Sequence, residues 1–475
     1  MTQPIWRARA VLPPAQGAAA EATRGSAVKL AAEVAGRVAA LLTTLYIARS
    51  LGVEEFGLFA ALSGVAVVLA EAGDLGLHVT ASRALVAAEL PLGAMLRARL
   101  VLAWGVAALV LALIGVSPVL AALVLYFALA GWSEFLGVAL RARGARAGEA
   151  AVILALRAAG LLLAVAAVRG GGGVARVCWA LAASPLPAVA LGAALLWWTP
   201  PEPAATPPAA SVAAVLRAAF PLAINGVLSL ASLRVELLVL SVLRGTREAG
   251  LFAAAMKVVE SLNMVPAAIT AGAMPALTRE GLRGQGPVRG RTAGSVALAA
   301  VPAAAGLLLV APELAARLYG AEFAGAAAPL RVLALSLVIL FMNSVLLHSL
   351  LAVGRARWLP LLTGLRVAAA VLLAFVLVPA LGELGAAAGF LTSELVLLLL
   401  ASRACAAARF EVPLAGPLLR ALGVSLPMAG VVALLGAGLI TSVGVGTLVY
   451  VATLALTWRL APQLIAEGRL DVHCP

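Results

Sequence analysis

Runs of apolar residues parted by short polar breaks recur from near residue 30 to the C-terminal end of the chain. A helix crossing a bilayer takes about 20 such residues, so the pattern predicts an all-α polytopic membrane protein. Fourteen segments are expected, near 29–49, 57–80, 98–116, 119–138, 150–168, 175–198, 218–242, 250–274, 293–311, 329–351, 358–379, 384–402, 420–440 and 443–460. Segments two and eight are the least uniform, since each carries charges. Residues 1–28 are rich in Ala, Pro and Gly and carry Arg7, Arg9 and Arg24. They lack the apolar stretch and cleavage site of a secretory signal and read as a disordered cytoplasmic tail. The longest polar interruption, 199–217, opens as TPPEPAATPPAASVAAVL. Its prolines and small residues argue against a packed element and for a linker.

The pattern also repeats at a larger scale. GVEEFGLFAA at Gly52–Ala61 returns as GTREAGLFAA at Gly245–Ala254. Arg146 and Arg157, the latter opening RAAGLLLAV, are echoed by Arg355 and Arg366, the latter opening RVAAAVLLA. Two matches in the same order indicate a duplicated multi-helix half, and parallel halves are a transporter signature. The halves would be joined at 199–217. Segments 13 and 14 fall outside the repeat, as a helix pair over 420–460 turning around Thr441–Gly446, followed by a cytoplasmic tail at 461–475.

Composition excludes a soluble chain: 63% of residues are apolar, 12% are charged and the mean hydropathy is +1.08. The net charge of +13 is almost wholly arginine, since Lys29 and Lys257 are the only lysines. With the N-terminus inside, the inner connections and tails collect most of these arginines. The outer connections keep only Arg49, Arg169, Arg176, Arg244, Arg247 and Arg317. That asymmetry is the positive-inside rule. It predicts both termini in the cytoplasm, and it removes the main support for a nucleic-acid partner. Cys178, Cys405 and Cys474 form no metal or disulfide motif. Lysine poverty beside arginine and alanine excess suits a GC-rich bacterial genome.

Some charges remain inside the segments. Arg37, Arg157, Arg234, Lys257 and Arg366 are the bases; Glu71, Asp74, Glu134, Glu236, Glu260 and Glu394 are the acids, with Asn225, Asn263, Asn343 and His348 beside them. Each charge costs about 2.5–3.5 kcal/mol at mid-helix on insertion scales, so each should face protein or water. Glu33 with Arg37, Asp74 with His78, and Lys257 with Glu260 have spacings that place partners on one helix face. One reading of the bases is internal pairing or snorkelling. The other is a shared, water-filled cationic cavity, with the repeat-related Arg157 and Arg366 facing each other across it. Guanidinium forks match phosphate oxygens, so Arg37, Arg157, Arg234, Lys257 and Arg366 are the candidate substrate-binding residues for an anionic cargo. Glu71, Asp74, Glu236 and Glu260 are candidate coupling or structural acids. No GxxxxGK[ST], HExxH or GxSxG motif occurs, and Gly170–Gly173 reads as a flexible turn. Neither enzyme activity nor a cofactor is expected.

The stretch LYIARSLGVEEFGLFAALSGVAVVLAEAGDLGL at 45–77 resembles the opening helices of bacterial polysaccharide or O-antigen (Wzx-type) flippases. AGLFAAAMKVVESLNMVPAAI at 249–269 is similar to that family's eighth helix, with Phe252 in place of a common Tyr and Lys257 at its basic position. LYGAEFAGAAAPLRVLAL at 318–335 and LLAVGRAR at 350–357 resemble a later region, and Glu236 stands where the family often has Asp. The last two helices match nothing comparable. The resemblance spans most of 29–405 as a string of spaced matches. It implies membership of the multidrug/oligosaccharidyl-lipid/polysaccharide exporter superfamily, with two six-helix lobes, 29–198 and 218–403, around a central cavity. It also implies an undecaprenyl-diphosphate-linked oligosaccharide as cargo, moved between leaflets of the bacterial inner membrane during polysaccharide or lipopolysaccharide biosynthesis. Membrane lipid, a polysaccharide polymerase and chain-length machinery are the implied partners. A cation-coupled drug or metabolite exporter of the same superfamily is the first alternative, disfavoured by a basic interior and 5% aromatics. A membrane enzyme of envelope-polymer assembly is the second, and it would normally present a larger outer loop.

Overall fold

A computed structural model describes residues 16–85, 90–200, 210–283, 286–435 and 438–460. The chain is helical throughout these residues. In order, the helices are α1 (Gln16–Asp74), α2 (Leu77–Ala84), α3 (Leu92–Ile114), α4 (Pro118–Ala142), α5 (Arg146–Arg169), α6 (Val174–Ala183), α7 (Pro185–Trp198) and α8 (Val212–Ser232). They continue as α9 (Val235–Leu243), α10 (Thr246–Leu262), α11 (Met264–Arg283), α12 (Val288–Tyr319), α13 (Ala327–Ala352), α14 (Leu359–Ala407), α15 (Ala415–Leu435) and α16 (Leu439–Leu460).

At 59 residues, α1 would be about 88 Å long if straight, far more than a hydrocarbon core of about 30 Å. It is two crossings turned at Gly52, whose φ of 75° lies in the left-handed region that glycine enters freely. The 49-residue α14 is broken likewise at Gly382. Eleven helices are long and apolar enough to cross a membrane, and α8 with α9, bent by 51°, makes one more. Dividing α1 and α14 at their glycines completes the fourteen expected crossings among the described residues.

Two expected boundaries move. Residues 16–28 are helical and lengthen α1 rather than forming a tail. Within 199–217, Ser211 accepts a hydrogen bond from the Ala214 amide, an N-cap that starts α8 and makes Val212–Arg217 helical. Residues 1–15, 201–209 and 461–475 of the expected tails and linker lie outside the described residues.

Trp104, Leu111, Trp197, Leu372, Leu426 and Leu448 are among many large apolar side chains left exposed, as a lipid-facing exterior requires. Alanine dominates the helix contacts, and the largest core joins α1, α10, α12 and α13 through Ile47, Phe56, Phe252, Val296 and Phe341. Within the first half, α4, α5 and α7 pack on one another and α1 packs on α4 and α5; within the second, α13 packs on α12 and α14, α9 packs on α14, and α15 and α16 lie along α12. The repeated sequence crosses itself where the halves meet. A Cβ on Gly57 would lie 1.8 Å from the Thr246 carbonyl oxygen, and one on Gly250 would lie 2.1 Å from the Val53 oxygen. Only glycines permit this backbone-on-backbone approach of α1 and α10. Around it, Phe56 stacks edge-on against Phe323 at 5.8 Å, and Arg247 reaches Glu54 at 3.8 Å. Gly52 and Gly245, equivalent in the repeat, share an extended backbone turn with φ of 75° and 92°.

Candidate functional site

Below that crossing the halves separate around a cavity of about 260 Å³. Its walls alternate small and aromatic side chains: Ala40 and Thr44 from the first part of α1, Phe59 and Ser63 from the second, and Tyr126 and Phe127 from α4. Four charged groups enter it. Arg157 comes from the middle of α5 and lies beside the Tyr126 hydroxyl. Arg234 stands at the bend between α8 and α9, where the broken helix lets its stem leave the wall. Lys257 and Glu260 lie one turn apart on α10. The Arg234 Nη1 atom is 2.8 Å from Glu260 Oε1, and Lys257 Nζ is 3.6 Å from Glu260 Oε2. Three cations thus face one carboxylate. In a cavity walled by apolar groups, that imbalance attracts anions more strongly than it would in open water.

Arg157 also lines a second pocket of about 390 Å³, toward the end of the bundle that bears Gly144. Arg37 lies there rather than in the central cavity. Glu33 pairs with Lys29 at 3.5 Å instead of with Arg37, and Glu149 holds both Lys29 and Arg141 at 3.2 Å. A third pocket of about 640 Å³ between α1, α3 and α4 takes Glu71, Asp74, His78 and Glu134. Asp74 is bound to Arg99 at 2.8 Å and accepts the His78 backbone N–H at 2.8 Å, so its side chain does not pair with the His78 ring. Arg99 is buried, with Trp132 and Phe135 within 5.2 Å of its guanidinium carbon.

Arg366 does not face Arg157. It is buried among α8, α9 and the two arms of α14, with its Nε 2.9 Å from Glu394 and its Nη2 3.9 Å from Glu236. It donates to the Ser232 carbonyl and lies over the Phe390 ring at 5.0 Å. Asn343 of α13 donates to Glu394 Oε2 at 2.6 Å. A charge this far from water needs internal compensation, and the apposed arms of α14 supply it. Glu236 and Glu394 are therefore committed to Arg366. Arg99 was not among the charges expected inside the segments, and its pairing with Asp74 was missed; the signal that would reveal it is an arginine inside the apolar α3 stretch that also holds Trp104. The Asn225 side chain lies outside the described residues.

The profile of the polysaccharide biosynthesis protein family matches residues 22–280, more than half of the chain. The chain belongs to that family. Arg157, Arg234, Lys257 and Glu260 all lie inside the matched span, whereas Arg366 and Glu394 lie beyond it. Among solved structures, the chain is similar to the lipid II flippase MurJ in an inward closed conformation, with a TM-score of 0.70 at 12% identity over 91% of this chain and 98% of that one. It is also similar to an inward-facing multidrug resistance transporter of the MATE family in the MOP superfamily, with a TM-score of 0.61 at 15% identity over 80% and 98% of the two chains. A MOP superfamily transporter from Pyrococcus furiosus follows at 0.52, with 14% identity over 82% and 96%. These likenesses establish the fold. No curated protein sequence matches the chain.

Proposed function

We propose that this protein moves an undecaprenyl-diphosphate-linked oligosaccharide from the inner to the outer leaflet of the bacterial inner membrane by alternating access between lobes 29–198 and 218–403. One observation carries the reading: Arg157, Arg234 and Lys257 face a single carboxylate, Glu260, in the central cavity. The excess suits a lipid-to-sugar diphosphate of about two negative charges, which guanidinium forks bind through paired oxygens. The same excess disfavours a cationic drug. Family membership adds the polysaccharide context, and the arginine asymmetry of the connections supports an orientation with both termini in the cytoplasm. In that orientation the Gly57–Gly250 crossing closes the outer side and the cavity is loaded from inside. Of the four candidate coupling acids, Asp74, Glu236 and Glu260 are held by arginines. Glu71, beside the 640 Å³ pocket, is the acid left to respond to a coupling ion. A polymerase and chain-length machinery would receive the product.

The test is polymer export in cells, with membrane abundance measured in parallel. Arg157→Ala, Arg234→Ala and Lys257→Ala should each reduce export at normal abundance, and Arg157→Lys should restore it in part, because a point charge replaces a planar fork. Normal export by all three alanine variants would overturn the reading.

A further inference from the structure

Glu260 is the one acid in an otherwise cationic cavity, and it occupies both of the cations nearest to it. Its two oxygens are divided between them, Oε1 toward Arg234 at 2.8 Å and Oε2 toward Lys257 at 3.6 Å. A phosphate group seeking the same pair would bridge them in the same way. Glu260 also lines a separate pocket of about 210 Å³, together with Arg234, Asn263, Leu340 and Phe390. The carboxylate therefore has room to turn out of the central cavity and away from Lys257 without leaving the protein; Arg234 borders both spaces, and the Asn263 amide lies on the wall of the one it would enter. Arg157, on the opposite wall, lies beside the Tyr126 hydroxyl and is free to meet an incoming anion first.

We infer that Glu260 is a built-in competitor of the cargo's diphosphate: it neutralises Arg234 and Lys257 in the empty cavity, yields them to the cargo, and reclaims them to drive release. The inference rests on the anionic-cargo reading above and adds how the site lets go. An uncompensated cationic cavity would hold a diphosphate too firmly to turn over. A tethered carboxylate lowers net affinity by offering the cations an alternative partner at all times, since only the difference between the two partners appears as binding.

A merely positioning role for Glu260 predicts the opposite sign, which makes the test decisive. Calorimetry of inorganic pyrophosphate binding to the purified full-length protein at fixed ionic strength would compare the native chain with Glu260→Gln, which keeps shape and loses charge. Competition predicts binding about tenfold tighter in Glu260→Gln, the scale of one charge-assisted hydrogen bond released to the ligand. It also predicts slower polymer export at normal abundance. Weaker or unchanged pyrophosphate binding would overturn the competitor role. Failure of both proteins to bind pyrophosphate, with Arg157→Ala exporting normally, would instead overturn the anionic-cargo reading. Should Glu260→Gln fail to accumulate, Asn263→Ala serves in its place: it removes the amide that receives the displaced carboxylate, so pyrophosphate binding should weaken several-fold, and unchanged binding would overturn the inference.

Discussion

Gly57→Ala adds one methyl group at the crossing of α1 and α10, and its effect follows from the distances there. The new Cβ would sit 1.8 Å from the Thr246 carbonyl oxygen and 2.8 Å from the Gly250 nitrogen, whereas real Cβ contacts essentially never fall under 3.0 Å. Both obstacles are backbone, so no side chain can swing aside. The helices must part by about 1.2 Å, the shortfall of the 1.8 Å approach against the 3.0 Å limit. A gap near that size forfeits about a quarter to a half of each contact's dispersion attraction, and Phe56, Phe323 and Tyr319 all depend on the same approach. Overpacking costs about 1–3 kcal/mol, and a backbone-on-backbone clash belongs at the upper end. At 1.4 kcal/mol per tenfold, about 3 kcal/mol shifts the equilibrium roughly 150-fold away from the state in which the halves meet. The assay is a short bifunctional thiol cross-linker between Glu54→Cys and Arg247→Cys, whose native side chains meet at 3.8 Å. Cross-linking should fall sharply when Gly57→Ala is added, while Ser63→Cys in the cavity should become reachable by an impermeant thiol reagent from outside. Unchanged cross-linking and continued protection of Ser63→Cys, in protein of normal abundance, would refute the reasoning.

Arg366→Ala should lower membrane abundance rather than cargo handling, because breaking a buried ion pair costs about 3–5 kcal/mol; normal abundance with lost export would place Arg366 in transport after all. For topology, in a cysteine-free background, Val116→Cys should label in intact cells and Gly286→Cys should not, and labelling of Gly286→Cys from outside would reverse the orientation. Tyr319→Phe removes the hydroxyl that donates to the Ala254 carbonyl at 3.0 Å, so thermal unfolding in detergent should show a loss of about 1 kcal/mol. Purified protein should not hydrolyse ATP above background; turnover abolished by a single substitution in this chain would contradict a purely transporting role.

Much of the architecture is visible in hydropathy because the bilayer imposes one length and one polarity on every crossing. The repeat was equally visible, since Gly57 and Gly250 keep their identity for a geometric reason, the backbone approach they allow. Rotation about each helix axis was not. Arg157 and Arg366 occupy equivalent sequence positions, yet one faces the cavity and the other faces Glu394, and that choice depends on neighbours far along the chain. Pairing by helical spacing succeeded for Lys257 with Glu260 at 3.6 Å, although Arg234, from the bend between α8 and α9, reaches the other oxygen of the same carboxylate at 2.8 Å. It failed for Asp74, because Arg99 on α3 offers a closer guanidinium than the next turn of its own chain offers an imidazole. The start of α8 was missed because Ser211, a capping residue, sits at the end of a proline-rich run that reads as linker throughout.

The fate of Arg366 has a meaning for suppressor genetics. Its ion cluster sets Arg366 against Glu236 and Glu394, with Asn343 donating to Glu394, and all four side chains are buried away from the central cavity. A defect caused by losing Arg366 is therefore a defect of two stranded carboxylates, and neutralising Glu236 and Glu394 together should revert it, since buried partners removed as a set leave nothing unsatisfied. If Arg157 binds the cargo as proposed, no second-site change inside the protein can do the same for it, because its partner would arrive from the membrane and depart again. Revertant spectra at two positions that began as copies of each other should thus look entirely unlike, intragenic and clustered for one, confined to true reversion for the other.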